Sequence, residues 1–393
     1  ANDTDYMYRA DSAFSHLTGW GSATVADSVL VIDARGAKSK AFLFLRETAG
    51  HDSDEFFANA AIGEFWVGKR PSLQQVSALL DIQTHSLTSY KAFLKTLPKE
   101  KIRNLNKDEE LAVFVSELRF IKDAYEIAEM RKAVAASVKG FESVAKNLKL
   151  AIGNPRGERI VETAFYSEAR VQGNGLGYET IAASGPHACT LHWITNDGPV
   201  NKNDLILLDA GVEVDSLYTA DVTRTLPVSG KYTDIQRRIY DAVLEAADAA
   251  FKVAKPGAKF SDIHQAAMNV IARKTAEWGL INISAEESLK QDVQLHRRWM
   301  VHGTSHHLGM DVHDCGQARR EMYMDGILQP GMIFTIEPGL YFHQDDLSVP
   351  KEYRGIGVRI EDDVLVTKTG VENLTAGLPR KSKDVEKWLA KFR

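Results

Sequence analysis

The chain has 393 residues, of which 44% are hydrophobic and 26% are charged, and its formal net charge is −5. A single core seldom extends beyond about 250–300 residues, so we expect two domains. Because charges of both signs are interspersed and the net charge is slightly negative, we expect no nucleic acid partner. The sequence has no run of about 18 apolar residues, so we expect no transmembrane helix and no membrane partner.

The N-terminal residues and the cysteines favour a cytoplasmic location. The first residues, ANDTDYMYR, lack the basic and apolar regions of a secretory signal peptide. The chain has two cysteines, Cys189 and Cys315, which are too few for a disulfide framework. A reducing, cytoplasmic setting is therefore the prediction.

The first 120 residues alternate β-rich and helical patterns, which predicts a small α/β domain over 1–120. Residues 25–34 and 40–47 have strand patterns, and 72–82 and 86–97 have helical spacing. A long periodic helix predicted over 122–148 opens the second domain, 121–393.

Helices and short strands alternate in the second domain. Helices are predicted over 157–172, 233–254 and 259–278. Strands are predicted over 203–211, 217–228, 331–341 and 355–367, the second being the hairpin partner of the first. Helices and antiparallel strands in mixed order predict an α+β fold with a curved sheet backed by helices.

Acidic residues inside these apolar strands are the strongest functional signal. Each is flanked by hydrophobic residues: Asp209, Asp221, Glu337 and Glu361. A buried carboxylate is costly unless it is paired or binds a metal. One such acid could be satisfied by an arginine, but four together indicate a shared cation.

The segment VHGTSHHLGMDVHD, residues 301–314, holds four of the 12 histidines. One imidazole would complete a carboxylate-rich ligand set, although spacing does not show which histidine it is. Four acids and one imidazole suit Mn²⁺ or a similar ion better than a thiolate set would. Because four carboxylates are too many for one transition metal, we expect two divalent ions roughly 3.5 Å apart.

Five motifs together resemble the M24 metallopeptidases of the pita-bread fold. In chain order they are LDAG, ADVTRT, HGTSHHLGMDVHD, TIEPGLY and RGIGVRIEDD. The resemblance is closest to the Xaa-Pro aminopeptidases (aminopeptidase P), with the Xaa-Pro dipeptidases (prolidases) next. FWVGKR and NDTDYMYR are similar to the aminopeptidase P N-terminal domain, although that domain usually has a further segment before NDTDY.

The resemblance implies a role for each site residue. The implied metal ligands are Asp209, Asp221, His306, Glu337 and Glu361, with Mn²⁺ the expected ion and Co²⁺ or Zn²⁺ the alternatives. Glu337 would also move protons. The implied substrate and transition-state residues are His192, His302 and His313, with Tyr178, Tyr341 and Arg359 lining the site. Asp3 and Trp66 match N-terminal residues that help form the substrate pocket. His307 matches no functional position, so we expect it to be solvated or packed.

The implied activity is hydrolysis of the bond between an N-terminal residue and a following proline, by a hydroxide held between two metal ions. Small proline-containing peptides are the expected partners, and a homodimer or homotetramer is the expected assembly. A prolidase, which accepts only dipeptides, is the main alternative. A non-catalytic binding protein on the same fold is disfavoured, because all five implied ligands are present.

Overall fold

The computed structural model describes residues 7–392. The chain divides into two compact units: a small unit that extends to Ala112 and includes Asp215–Leu217, and a large unit that comprises Val113–Val214 and the chain from Tyr218 onward. No helix among the described residues is long and apolar enough to cross a membrane.

The small unit contains a three-stranded sheet of order β1-β2-β3. The first two strands pair antiparallel, as their shared apolar pattern predicts, and the third pairs parallel to the second. The strands are β1 (Val29–Asp33), β2 (Lys40–Leu45) and β3 (Gln83–Ser86). The helices are α1 (Ser12–Thr18), α2 (Asp54–Ala58), α3 (Glu64–Val67), α4 (Leu73–Leu80), α5 (Tyr90–Lys95) and, across the unit boundary, α6 (Glu109–Leu118).

Four long helices of the large unit pack in two pairs, the first with the second and the third with the fourth. The four helices are α7 (Ala124–Ala151), α8 (Gly157–Gln172), α9 (Asp234–Val253) and α10 (Phe260–Glu277). Asp123 and Thr233 cap α7 and α9 through reciprocal side-chain hydrogen bonds, which is why these helices start there. Helices α7 and α8 pack closely because Gly140 leaves room for Phe165: a Cβ at Gly140 would lie 2.5 Å from that ring. The shorter helices are α11 (Ala285–Ser288), α12 (Arg320–Tyr323) and α13 (Ser382–Ala390).

The strands of the large unit form several small antiparallel sheets. Their orders are β5-β6-β8, β13-β12-β9, β10-β11 and β4-β7. The strands are β4 (Gly175–Leu176), β5 (Ile181–Ser184), β6 (Leu205–Asp209), β7 (Val212–Glu213), β8 (Thr223–Pro227), β9 (Ile333–Ile336), β10 (Gly339–Phe342), β11 (Ile356–Arg359), β12 (Asp362–Val366) and β13 (Val371–Asn373). The predicted antiparallel pairing of β6 with β8 is confirmed.

Two of the predicted strands are wrong in their extent. The apolar runs 331–341 and 355–367 are each broken into two strands that belong to different sheets. Pro338 has no N–H to continue a ladder beyond β9. The N–H of Glu361 donates to the carbonyl of Thr223 at 3.1 Å, so this residue links the end of β11 to β8. Both breaks lie at predicted site residues.

Candidate metal centre

The four predicted acids lie at ends or breaks of strands rather than within them. Asp209 ends β6, and Asp221 lies just before β8. Glu337 follows β9, and Glu361 separates β11 from β12. A side chain at a strand end can point beyond the sheet while the preceding apolar residues stay in the core. This arrangement lets acids from several strands meet.

These acids converge on one histidine. Ligand atoms of Asp221, His306 and Glu361 all lie within 4.8 Å of one another. The His306 Nε2 atom is 3.2 Å from Asp221 Oδ2 and 3.5 Å from Glu337 Oε1. Asp209 is joined to Asp221 through the hydroxyl of Tyr178, which is 2.7 Å from Asp209 Oδ1. The structure therefore brings all five implied metal ligands together.

Three acids of this cluster have raised pKa values, mainly because they are buried. Burial, followed by the charges of Asp221, Glu337 and Asp209, raises the pKa of Glu361 well above its ordinary value. Burial also raises the pKa of Glu337 to about 7, although the charge of His306 opposes the shift. The pKa of Asp209 is likewise raised, mainly by burial, although Arg359 opposes the shift.

Asp221 is the exception in this cluster. Burial acts to raise its pKa, but the hydrogen bond and charge of His306 outweigh burial, so the pKa is lowered. The same contact raises the pKa of His306 to about 9, against the effect of burial. Arg359 thus offsets part of the charge of four neighbouring acids, and His306 does so only while it is protonated, which it would not be as a metal ligand. Divalent cations would supply the remainder, and the oxygen-rich donor set with one imidazole fits such ions.

Arg359 connects Asp209, which it contacts directly, to Glu361, which it reaches through Thr223. Its guanidinium donates to Asp209 Oδ2, to the Tyr341 hydroxyl at 3.0 Å and to the Thr223 hydroxyl at 3.1 Å. Because Thr223 Oγ1 accepts from Arg359, its own proton is free to bond Glu361 Oε2 at 2.7 Å. Thr223, which is not among the residues predicted from the sequence, therefore also belongs to the site. Its spacing of two from Asp221 in a strand-like segment could have indicated it, since alternate residues share a face.

Three predicted histidines lie near this cluster. The His302 Nε2 atom is 2.8 Å from the Tyr341 hydroxyl, and burial, followed by the charge of Arg359, lowers its pKa to about 3. The His313 ring centroid lies 4.5 Å from that of His306, and burial, followed by the charge of His306, lowers its pKa. His192 is exposed, and its proximity contributes to the lowered pKa of both His302 and His313. His302 and His313 therefore lie beside the centre, and His192 lies near them.

His307 is packed away from the acids. Its ring stacks on Phe260 at 4.5 Å and meets Phe120 and Tyr323 edge to face. Burial lowers its pKa to about 3, so it is a neutral member of an aromatic cluster. Of the two environments expected for His307, solvated or packed, the structure shows the packed one.

Of the two site residues predicted in the N-terminal domain, the structure describes only Trp66. Asp3 lies outside the described residues. Trp66 lies on α3 of the small unit, where its indole N–H donates to the Phe57 carbonyl at 2.6 Å and 59% of the residue is exposed. The substrate role of both residues stays a prediction.

The fold and the acid cluster together define a metallopeptidase of the pita-bread type, and comparison with known proteins gives its family. The chain matches the metallopeptidase family M24 over residues 128–368 and the aminopeptidase P N-terminal domain over residues 1–105. It belongs to the M24 family.

Comparison with individual proteins shows which members of that family the chain is similar to. The chain is 48% identical over 409 residues to Xaa-Pro aminopeptidase 1 of Streptomyces coelicolor, covering 100% of this chain and 82% of that protein. The structure of the Pseudomonas aeruginosa aminopeptidase PepP is similar, with a TM-score of 0.86 and 29% identity, covering 100% of this chain and 91% of the other. Zn-substituted Escherichia coli aminopeptidase P in complex with product has a TM-score of 0.83 and 29% identity, covering 100% and 92%. The predicted pita-bread fold is confirmed.

Proposed function

We propose that this chain is a dinuclear-metal exopeptidase that hydrolyses the bond between an N-terminal residue and a following proline. The observation that carries the proposal is the convergence of four acids and His306, with three ligand atoms within 4.8 Å of one another. Sequence identity of 48% to a Xaa-Pro aminopeptidase supports the choice of substrate. Small proline-containing peptides are the proposed partners, and the cytoplasm and a homo-oligomer remain the proposed location and assembly.

Each ligand is assigned a place in the proposed centre. Asp209 would hold one ion, Asp221 and Glu361 would be shared by both ions, and His306 and Glu337 would complete the coordination of the second ion. Mn²⁺ is the proposed ion because the donors are mostly hard oxygens, with Co²⁺ and Zn²⁺ as alternatives. When bound, two divalent cations supply the charge that activates water near neutral pH and polarises the scissile carbonyl.

Glu337 is the proposed proton carrier. Its side chain is 15% exposed, against 11% for Asp209 and 7% for Asp221, so it is the most accessible of these three acids. From there its carboxylate can take a proton from the attacking water and deliver it to the leaving nitrogen.

The remaining site residues bind and orient the peptide. The proposed role of His313 is to stabilise the oxyanion that forms on the scissile carbonyl, and that of His192 is to contact the neighbouring carbonyl. The His302 ring and Arg359 both contact the Tyr341 hydroxyl, and these contacts fix the positions of the three side chains. Tyr178 spans Asp209 and Asp221. Asp3 and Trp66 are proposed to extend the substrate pocket.

Product analysis on paired substrates tests this function. With Mn²⁺ present, we expect release of the first residue from an Ala-Pro-Ala tripeptide and from longer Xaa-Pro peptides, as measured by mass spectrometry. An Ala-Ala-Ala tripeptide is the matched substrate control and should be cleaved far more slowly. Cleavage of Ala-Pro alone, with the tripeptide intact, would instead establish the prolidase alternative.

Thr223 is predicted to support the metal centre through Glu361. Its hydroxyl is fully buried and orients Glu361 Oε2, so Thr223→Val is expected to weaken Mn²⁺ binding by about 10- to 100-fold, measured by calorimetry. The control is Thr225→Val on the same strand, because the Thr225 hydroxyl is also buried but bonds only to backbone atoms of Arg359. Equal Mn²⁺ affinities of the two variants would show that Thr223 has no special part in the centre.

A further inference from the structure

Glu158 is a fully buried carboxylate outside the acid cluster, in the first turn of α8. Each of its oxygens has two partners. Oε1 accepts from the Ser184 N–H at 2.8 Å and lies 2.8 Å from His187 Nδ1. Oε2 accepts from the Gly198 N–H at 2.7 Å and from the Trp193 indole N–H at 2.9 Å. A buried acid is stable here because these donors replace its hydration.

All four partners belong to one segment, residues 184–198. Glu158 bonds both ends of this segment, Ser184 and Gly198, and its middle at Trp193. The Trp193 ring also stacks on His187, with the ring centroids 3.9 Å apart. Gly198 is required for this close approach, since a Cβ there would lie 2.5 Å from the His187 ring and 2.8 Å from Glu158 Oε2.

His192 lies within this segment, near His302 and His313. It lies next to Trp193, and its own side chain is exposed. Its position therefore depends on the backbone of the segment that Glu158 holds. A reacting group displaced by about 1 Å can lose on the order of 10²-fold in rate, so control of this backbone has catalytic consequences.

We infer that Glu158 is a positioning residue for His192: its carboxylate holds the 184–198 segment in the conformation that places the imidazole against the bound peptide. Glu158 itself does not touch substrate. The inference rests on the proposed function, because it assigns Glu158 a part in the same peptide hydrolysis. It predicts that Glu158 affects catalysis only while His192 is present.

A double-mutant cycle tests this dependence. The wild-type chain, Glu158→Gln, His192→Ala and the double variant are compared with Mn²⁺ on an Xaa-Pro-Xaa tripeptide. Glu158→Gln turns one acceptor oxygen into a donor and so breaks at least one of the three contacts with fixed N–H donors, those of Ser184, Gly198 and Trp193. We expect it to lower kcat/KM by about 10- to 100-fold in the wild-type background. In the His192→Ala background we expect a change of less than about twofold, because coupled residues are not additive.

Further variants separate positioning from folding. Trp193→Phe removes one donor to Glu158 and keeps an aromatic ring against His187, so it should show a smaller loss with the same dependence on His192. If Glu158→Gln fails to fold, Trp193→Phe takes its place in the double-mutant cycle. Glu162→Gln, one turn further along α8, is the matched control and should retain wild-type kcat/KM. Mn²⁺ affinity should be unchanged in Glu158→Gln, since Glu158 contacts no candidate ligand.

The outcomes distinguish this inference from the proposed function. Equal losses of kcat/KM from Glu158→Gln in both backgrounds would overturn the inference, because they would show a general structural effect. Full activity of His192→Ala would also overturn it, since Glu158 could not then act through that residue. Failure of the wild-type chain to cleave the tripeptide would instead refute the proposed function.

Discussion

Replacing Glu337 by Gln is expected to lower kcat on an Xaa-Pro-Xaa tripeptide by about 10²- to 10⁴-fold, the usual contribution of a positioned general acid–base. The amide keeps the shape of the side chain but cannot accept and return a proton. It also removes one anionic ligand from beside His306, whose Nε2 is 3.5 Å from Glu337 Oε1. Steady-state kinetics at saturating Mn²⁺ would isolate the loss in kcat from weaker metal binding.

The matched control for this variant is Glu352→Gln. Glu352 is an exposed residue of a short helical turn, Lys351–Tyr353, so the same chemical change there should leave kcat unaltered. Wild-type kcat in Glu337→Gln would show that the proton is carried by another group.

The largest effect on stability is expected at the ion pair of Lys122 and Asp314. Both side chains are 1% exposed, and Lys122 Nζ is 3.0 Å from Asp314 Oδ2. The Asp314 N–H donates to the His307 carbonyl, so this pair ties the histidine segment to the residues that precede α7. Asp314→Asn leaves the Lys122 ammonium buried and unpaired, and we expect the free energy of unfolding to fall by about 3–5 kcal/mol. Urea titration measures the difference.

The same pair sets a pH dependence. Burial acts to raise the pKa of Asp314, but the charges of Lys122 and Arg119 outweigh it and lower the pKa below its ordinary value. A carboxyl with a lowered folded-state pKa stabilises the protein above its unfolded value of about 3.9. This contribution is lost as the pH falls through the folded pKa. The stability difference between wild type and Asp314→Asn should therefore shrink below about pH 4.

An exposed pair provides the control. Asp325 lies 3.8 Å from Arg320 at the surface, so Asp325→Asn should change stability by less than about 1 kcal/mol. A similarly small effect of Asp314→Asn would contradict the assigned role of the buried pair.

Helix positions were predictable from the sequence because their signals are local. The predicted helix over 157–172 is observed as Gly157–Gln172, and that over 233–254 as Asp234–Val253. Periodicity and a capping residue such as Thr233 suffice for such predictions. The strand breaks at Glu337 and Glu361 were missed, because they depend on pairing between segments far apart in the chain. Pro338 was a local signal for the first break.

The acids were recognisable from the sequence because a carboxylate next to apolar strand residues needs a partner wherever it lies. The choice of His306 among the four histidines of 301–314 came from the family resemblance, since spacing alone left it open. The structure separates His306 from His307 by environment: the first faces Asp221, and the second stacks on Phe260. Thr223 and Glu158 act through hydrogen bonds to distant residues, which no sequence pattern displays.

Titration of the chelated, metal-free protein with Mn²⁺ tests the central claim most directly. Calorimetry would count the bound ions while hydrolysis of an Xaa-Pro-Xaa tripeptide is followed at each step. We predict two ions per chain, no hydrolysis without metal and release of the first residue as the sites fill. Full hydrolysis by the metal-free protein, or no binding of Mn²⁺, would contradict a dinuclear centre built from Asp209, Asp221, His306, Glu337 and Glu361.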